Sequence, residues 1–363
     1  MSQPLSARLA GASPEAISQL VQGMPKAELH IHVEGALEPE MLFSLAKRNN
    51  VPLAYASVEA LRSAYDFDNL QSFLDVYHAG TMVLRSAADF HEMAHAYLAR
   101  ARQDNVLHSE IFFDTQTHTG HGLSSDTVIE GLHRACAEAP AAHGMSASLI
   151  LCFLRHLSEK EAFLALEQAE PHLDKIVGVG LASAEMGHPP EKFARVFAKA
   201  RRMGLRVVAH AGEEGPASYV WSALDVLKAD RIDHGVRAME DAALLDRLAR
   251  SGTPLTVCPL SNIKLKGFPS LASHPLRKLL DMGIRATVNS DDPAYFGGHV
   301  NENLTQSFHA LGMDSSHAYA LAANSFEASF IGASQRSALI DKLGSYFESF
   351  EHAPGPKAAK AAP

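Results

Sequence analysis

Cysteine is scarce in this 363-residue chain. Cys136, Cys152 and Cys258 are the only three, widely spaced and without a CxxC pair. An odd, scattered set argues against a disulfide framework and for reduced thiols in a cytoplasmic setting. Positive charge is also short, with 32 Lys and Arg against 41 Asp and Glu, a net charge of −9 and no basic stripe. That balance speaks against nucleic acid as a partner, because a phosphate backbone needs a basic face. Long apolar runs are missing too. No stretch of about 20 apolar residues could span a bilayer, and the opening MSQPLSARLAGASPEAISQL lacks the uninterrupted apolar segment of a signal peptide. The expectation is a cytoplasmic protein with no membrane partner, acting on a small, neutral or weakly charged molecule.

Several motifs are absent as well. No GxxxxGK(S/T) phosphate loop, GxSxG elbow or GxGxxG fingerprint occurs, so nucleoside triphosphate chemistry and a serine nucleophile lose support. His108–Glu110 reads HSE, the first half of an HxE…PCxxC zinc signature, but no PCxxC follows. This segment is therefore read as strand.

What is present is a serial α/β pattern. Hydrophobic content of 47% with 20% charged residues describes an ordinary globular protein with ample core. Short apolar runs alternate with amphipathic stretches, as βα units require. Strands are expected near Ala27–His32, Val106–Asp114, Ser146–Leu154, Ile176–Leu181, Arg206–Ala211, Arg231–Gly235, Pro254–Val257 and Arg285–Asn289. Eight is the number that closes a (β/α)8 TIM-like barrel. Phe193, Val196, Phe197 and Ala200 follow the i, i+3, i+4, i+7 helical rule, as do Val220, Ala223, Leu224 and Leu227. Gly144, Gly204, Gly252 and Gly283 each stand just before an expected strand, where a left-handed glycine ends the preceding helix. The long stretch from Gly35 to Asn105 is read as a helical insertion covering the barrel mouth. Residues 1–350 are expected to form one domain, and 351–363, rich in Ala, Pro and Lys, a disordered tail.

The chemistry-bearing residues follow the strands. His30 and His32 are one residue apart, so on a strand both imidazoles face the same side, here the barrel interior. His210 ends another strand and Asp291 follows a third. Three imidazoles and a carboxylate suit zinc, with manganese or iron as alternatives. Glu213 follows in HAGEEG, where Gly212 and Gly215 permit a tight turn. Glu214 beside it reads as an acid favoured at a helix N-terminus. His234 closes RIDH, and Asp291 and Asp292 are adjacent, so one of these two carboxylates must be neutralised by a metal or a proton.

HxHxEG, HAGEEGP, RIDHGVR, VCPLSN and VNSDDPAYFGG, in this order, resemble the adenosine/adenine deaminase branch of the amidohydrolase superfamily, from about Lys26 to Ile331. The resemblance implies that His30, His32, His210 and Asp291 bind one zinc ion per chain. It makes Glu213 the acid that protonates a purine N1, His234 the base, and Asp292 the residue holding N7. Glu34 stands where adenosine deaminases carry Asp, which resembles the adenine-specific members; its extra methylene takes space a ribose would use. Ser183 stands at a contact to the N3 side of the purine. The implied activity is deamination of adenine to hypoxanthine and ammonia in purine salvage. The rival readings are an adenosine or N6-substituted adenine deaminase and, ranked lower, a catalytically inactive purine-binding protein. Oligomeric state is not legible.

Overall fold

The computed structural model describes residues 14–352. Its centre is an eight-stranded, all-parallel sheet in the order β1 to β8. The strands are Lys26–His32, Val106–Phe113, Ser146–Leu154, Ile176–Ala182, Arg206–Ala211, Arg231–His234, Leu255–Val257 and Ala286–Val288. All eight expected strands form, with ends displaced by a residue at most. β2 is buried along its whole length, as expected of a parallel strand covered on both faces.

Closure between β8 and β1 is made beyond the end of β8. Ile31 and Asp291 form a parallel bridge. The His32 amide donates to the Asp291 carbonyl at 2.9 Å, and the Asp291 amide to His30 O at 3.1 Å. Below this seam the Leu29 amide donates to Asn289 Oδ1 at 2.8 Å. The residues that close the barrel are thus the expected metal ligands.

The apolar faces of the strands and outer helices merge into one large core. Phe112, Ile150, Cys152, Ala182 and Val208 form a smaller cluster of their own, alternating along the strands with residues of the outer core. Deeper still, Arg231 and Glu110 are both fully buried and paired. Arg231 also donates to the Leu29 and Ala328 carbonyls, which leaves its charge well satisfied. HSE is indeed strand: Glu110 and His108 belong to this buried network, with His108 Nε2 3.4 Å from Glu110 Oε1.

The helices obey their sequence signals. Gly144, Gly204, Gly252 and Gly283 all have positive φ, from 65° to 89°. The stretch Val220–Leu227 departs from a uniform α-helix. An α-helical turn, Ala217–Ser222, passes into a π-helical one, Ala223–Leu227, ended by Lys228 at φ 57°. The same apolar side chains are buried either way, so their spacing alone does not distinguish the two forms.

A first helix, α1 (Pro14–Gly23), precedes β1. The insertion after β1 holds α2 (Pro39–Arg48), α3 (Val58–Ser63), α4 (Leu70–Thr81) and α5 (Ala87–Gln103). A capping box between Asn69 and Ser72 starts α4, and one between Ser86 and Asp89 starts α5. The Leu70 amide also donates to Glu214 Oε1 at 3.2 Å. Glu214 therefore sits at a helix N-terminus as expected, but that of α4 rather than of the helix following it in sequence. The tail expected over 351–363 lies outside the described residues, save for the end of the last helix, Ala333–His352. Among the described residues no helix is long and apolar enough to cross a membrane.

Candidate active site

Every expected site residue lies at the C-terminal ends of the strands or in the turns that follow, the side of such barrels where βα loops assemble catalytic groups. One nitrogen or oxygen from each of His30, His32, His210 and Asp291 falls within 4.8 Å of all the others. His32 Nε2 and His210 Nε2 are 3.1 Å apart, and Asp291 Oδ1 is 3.1 Å from His30 Nε2 and 3.6 Å from His32 Nε2.

The opposite edges of the rings explain which nitrogens are free. His30 Nδ1 lies 3.0 Å from Thr256 Oγ1 and 3.2 Å from the Thr256 carbonyl. A carbonyl only accepts, so Nδ1 carries a proton and Nε2 is the nitrogen turned toward the cluster. His210 Nδ1 lies 3.3 Å from Asp233 Oδ2, and Thr256 Oγ1 donates to Asp233 Oδ1 at 2.9 Å. Buried Asp233 thus backs two of the three imidazoles, as carboxylates do behind metal-bound histidines. Burial, together with neighbouring His210, pushes His32 down to a pKa of about 3, so its ring is neutral and available as a donor. Three imidazole nitrogens and a carboxylate converge on one point, as the ligands of a cation do. The donor set and its geometry fit a bound metal.

Beside this cluster, His234 Nε2 is 3.6 Å from Glu213 Oε2 and 3.8 Å from Asp291 Oδ2. Burial pushes the Glu213 carboxyl well above the usual carboxylate range, helped by the charge of Asp291. Burial also raises Asp292, again with Asp291 next in effect. Asp291 itself is held well below the ordinary range; burial opposes this, and His30 and His234 outweigh it. The adjacent aspartates are thus pushed in opposite directions, Asp291 toward the ionised form and Asp292 toward the protonated one. Burial drives His234 well below an ordinary histidine, with His30 adding to the effect.

One cavity connects these groups. His32, Ser183, His210, Glu213, His234, Asp291 and Asp292 line it on the barrel side. Leu70, Phe73, Leu74 and Tyr77 line it from α4, a run at i, i+3, i+4, i+7 that marks one helix face. That spacing was available in the sequence, although it could not say that the face would cover a site rather than core. His234, Asp291 and Ser183 have φ of 62°, 64° and 81°. Positive φ in non-glycine residues costs free energy and gathers at functional sites; here it turns successive side chains to the same mouth.

Ser183 reaches the cavity, with its Oγ 2.8 Å from His156 Nδ1. Glu34 is not among the residues that line it. Its buried carboxylate lies 3.1 Å from His118 Nε2 and accepts a longer bond from Tyr77 OH at 3.4 Å. A further acidic residue went unread in the sequence. Glu185, completely buried, holds the HAGEEG turn through four backbone amides. Nothing in LASAE marks that role, since the contact is made with a strand end about 27 residues away.

Barrel, convergent ligands and buried acids together define an enzyme of the amidohydrolase type. The adenosine deaminase family model matches residues 25–346. An adenine deaminase of Albidiferax ferrireducens is 66% identical over 339 residues, 93% of this chain and 98% of that protein. One of Trichlorobacter lovleyi is 57% identical over 92% of this chain and 96% of that protein. Among solved structures, an adenine deaminase from Arthrobacter aurescens superposes with a TM-score of 0.89 at 46% identity, covering 90% of this chain and all of that one. A zinc-bound amidohydrolase from Burkhoderia ambifaria gives 0.86 at 26% identity, covering 92% and 93%. The chain belongs to the adenosine deaminase family.

Proposed function

We propose that this protein is a zinc-dependent adenine aminohydrolase, converting adenine and water to hypoxanthine and ammonia in cytoplasmic purine salvage. The observation that carries the reading is the buried carboxyl of Glu213, which its surroundings push toward the protonated form, in one cavity with the convergent His30, His32, His210 and Asp291. Relatives 57–66% identical over nearly their whole length are named adenine deaminases, which supports adenine as the substrate.

A zinc ion held by these four residues supplies Lewis acidity that brings the ionisation of water close to neutral pH. The chain's own groups supply the rest. Glu213 donates its proton to N1 of the ring, which makes C6 electrophilic; an acid tuned upward by burial is suited to that step near neutrality. His234, neutral and close to both Glu213 and Asp291, accepts a proton from the attacking water and passes it to the departing amino group, so that ammonia leaves as the C6–N bond breaks and the proton shed in forming the C6 carbonyl restores Glu213. Asp292, protonated beside ionised Asp291, donates a hydrogen bond to N7, which is an acceptor. The apolar face of α4 keeps bulk water from the reacting carbon.

Release of ammonia from adenine and adenosine, and of methylamine from N6-methyladenine, tests the substrate. Adenine is expected to give the highest kcat/KM, and faster turnover of adenosine would overturn the reading. Glu213→Gln should lower kcat by about 10²–10⁴-fold, the range for loss of a general acid.

A further inference from the structure

The turn that carries Glu213 has little side-chain substance of its own. It runs Gly212-Glu213-Glu214-Gly215 between β5 and the helix starting at Ala217, and its form is imposed from outside. Glu185, just beyond β4, has no exposed surface. Its Oε1 accepts the Gly212 amide at 2.7 Å. Its Oε2 accepts the amides of Glu213 at 3.1 Å, Glu214 at 2.9 Å and Gly215 at 2.8 Å. Four consecutive N–H groups converge on one carboxylate, a backbone nest closed around an anion. No Lys or Arg side chain makes an ion pair with Glu185 among the described residues; the four amides hold its carboxylate, and the buried Arg155 guanidinium acts on its charge from beyond ion-pair distance. The fit is close. A β-carbon on Gly215 would lie 2.5 Å from Glu185 Oε1, and Gly212 has φ of 73°.

We infer that Glu185 is the positioning residue of the catalytic acid: its carboxylate folds the Gly212–Gly215 turn into the one form that aims Glu213 at the cavity and at His234. Glu185 does not line the cavity, so it acts through Glu213 and not on the substrate. The inference rests on the proposed role of Glu213 as proton donor. Charge-assisted bonds to backbone amides are among the strongest that hold a loop. A glutamine of the same shape would offer one oxygen and, at the other position, an NH2 group facing amides that also donate.

The experiment is a double-mutant cycle on the zinc-loaded enzyme, with Glu185→Gln, Glu213→Gln and both together. Steady-state kinetics with adenine, zinc content and amide hydrogen exchange are measured for each. Glu185→Gln is expected to lower kcat about 10²-fold, the scale of a misaimed catalytic group. KM should stay within about threefold, zinc should be unchanged, and exchange should quicken at residues 212–215. In the double variant kcat should equal that of Glu213→Gln alone, because a residue acting through Glu213 has nothing left to position. A kcat for Glu185→Gln within threefold of wild type overturns the inference. So does a full second penalty in the double variant, which a general structural role would produce. If Glu185→Gln fails to fold or loses zinc, Gly215→Ala attacks the same contact from the turn, with the same non-additivity expected. Should Glu213→Gln itself keep wild-type turnover, the reading of Glu213 as the acid fails, and the positioning role with it. Exchange at 212–215 would then report separately whether Glu185 shapes the turn.

Discussion

A β-carbon built on Gly35 would stand 1.9 Å from a carboxylate oxygen of Asp292. The turn after β1 and the turn after β8 are therefore packed backbone against side chain, across the seam where the barrel closes. Gly35→Ala must displace Asp292 from its place beside Asp291. The expected result is a fall in kcat/KM for adenine of about 10²-fold, typical of a displacement near 1 Å at a reacting centre. Zinc content should hold, since Asp291 is fixed by backbone bonds to His30 and His32. Kinetics with metal analysis check both parts.

Asp233 makes a different prediction. It backs His210 directly and His30 through Thr256. Asp233→Asn removes that charge while Arg231 keeps its partner Glu110. Zinc affinity, measured by competition with a chelator, should weaken by about 10–100-fold. Unchanged affinity would show that the histidines need no carboxylate behind them.

His274 gives a pH dependence away from the cavity. Its Nε2 donates to Asn262 Oδ1 at 3.1 Å, while Nδ1 accepts the Leu276 amide at 3.2 Å. One nitrogen must donate and the other accept, so the folded protein needs the neutral ring. Burial accordingly lowers its pKa from 6.5 to about 4. Between those values the unfolded chain binds a proton that the folded one refuses, so stability rises with pH there. This stabilisation is fully present above about pH 6.5 and is lost as pH falls towards 4. Denaturant unfolding at pH 7 and pH 5 should show the loss, and His274→Gln should flatten it. An unaltered slope in that variant would exclude His274 as the source.

His118 offers a test of substrate discrimination. Its ring holds the Glu34 carboxylate from one side, and Tyr77, which lines the cavity, holds it from the other. In His118→Leu that carboxylate loses its nearer partner and its fixed direction. The preference for adenine over 9-methyladenine, as a ratio of kcat/KM values, should fall at least about tenfold, since polar mismatch in a site of this kind discriminates strongly. His118→Gln, which restores a donor at similar reach, should recover most of the ratio. Equal ratios in wild type and His118→Leu would remove Glu34 from the choice of substrate.

Much of this was legible before any coordinates. The alternation of short apolar runs and helical spacings placed eight strands nearly to the residue, because parallel strands buried on both faces leave a continuous apolar trace. The HxH spacing put His30 and His32 on one face by strand geometry alone. The adjacent carboxylates announced that a metal or a proton must neutralise one of them. The covering helix α4 was foreseen only as an insertion, although Leu70, Phe73, Leu74 and Tyr77 carry its pattern.

The sequence by itself determined the barrel, the residues at its strand ends and the family to which they belong, since these depend on local periodicity and on motifs read in order. Only the tertiary structure decided which atoms converge. It turned Glu34 onto His118, sent Glu214 to the N-terminus of α4, put Asp233 behind two imidazoles and wrapped four amides around Glu185. The direct contacts among them join residues about 23 to 144 positions apart. No local rule specifies such a partner. Closure of the barrel does, by bringing distant turns to one mouth and forcing buried charges to find their donors there.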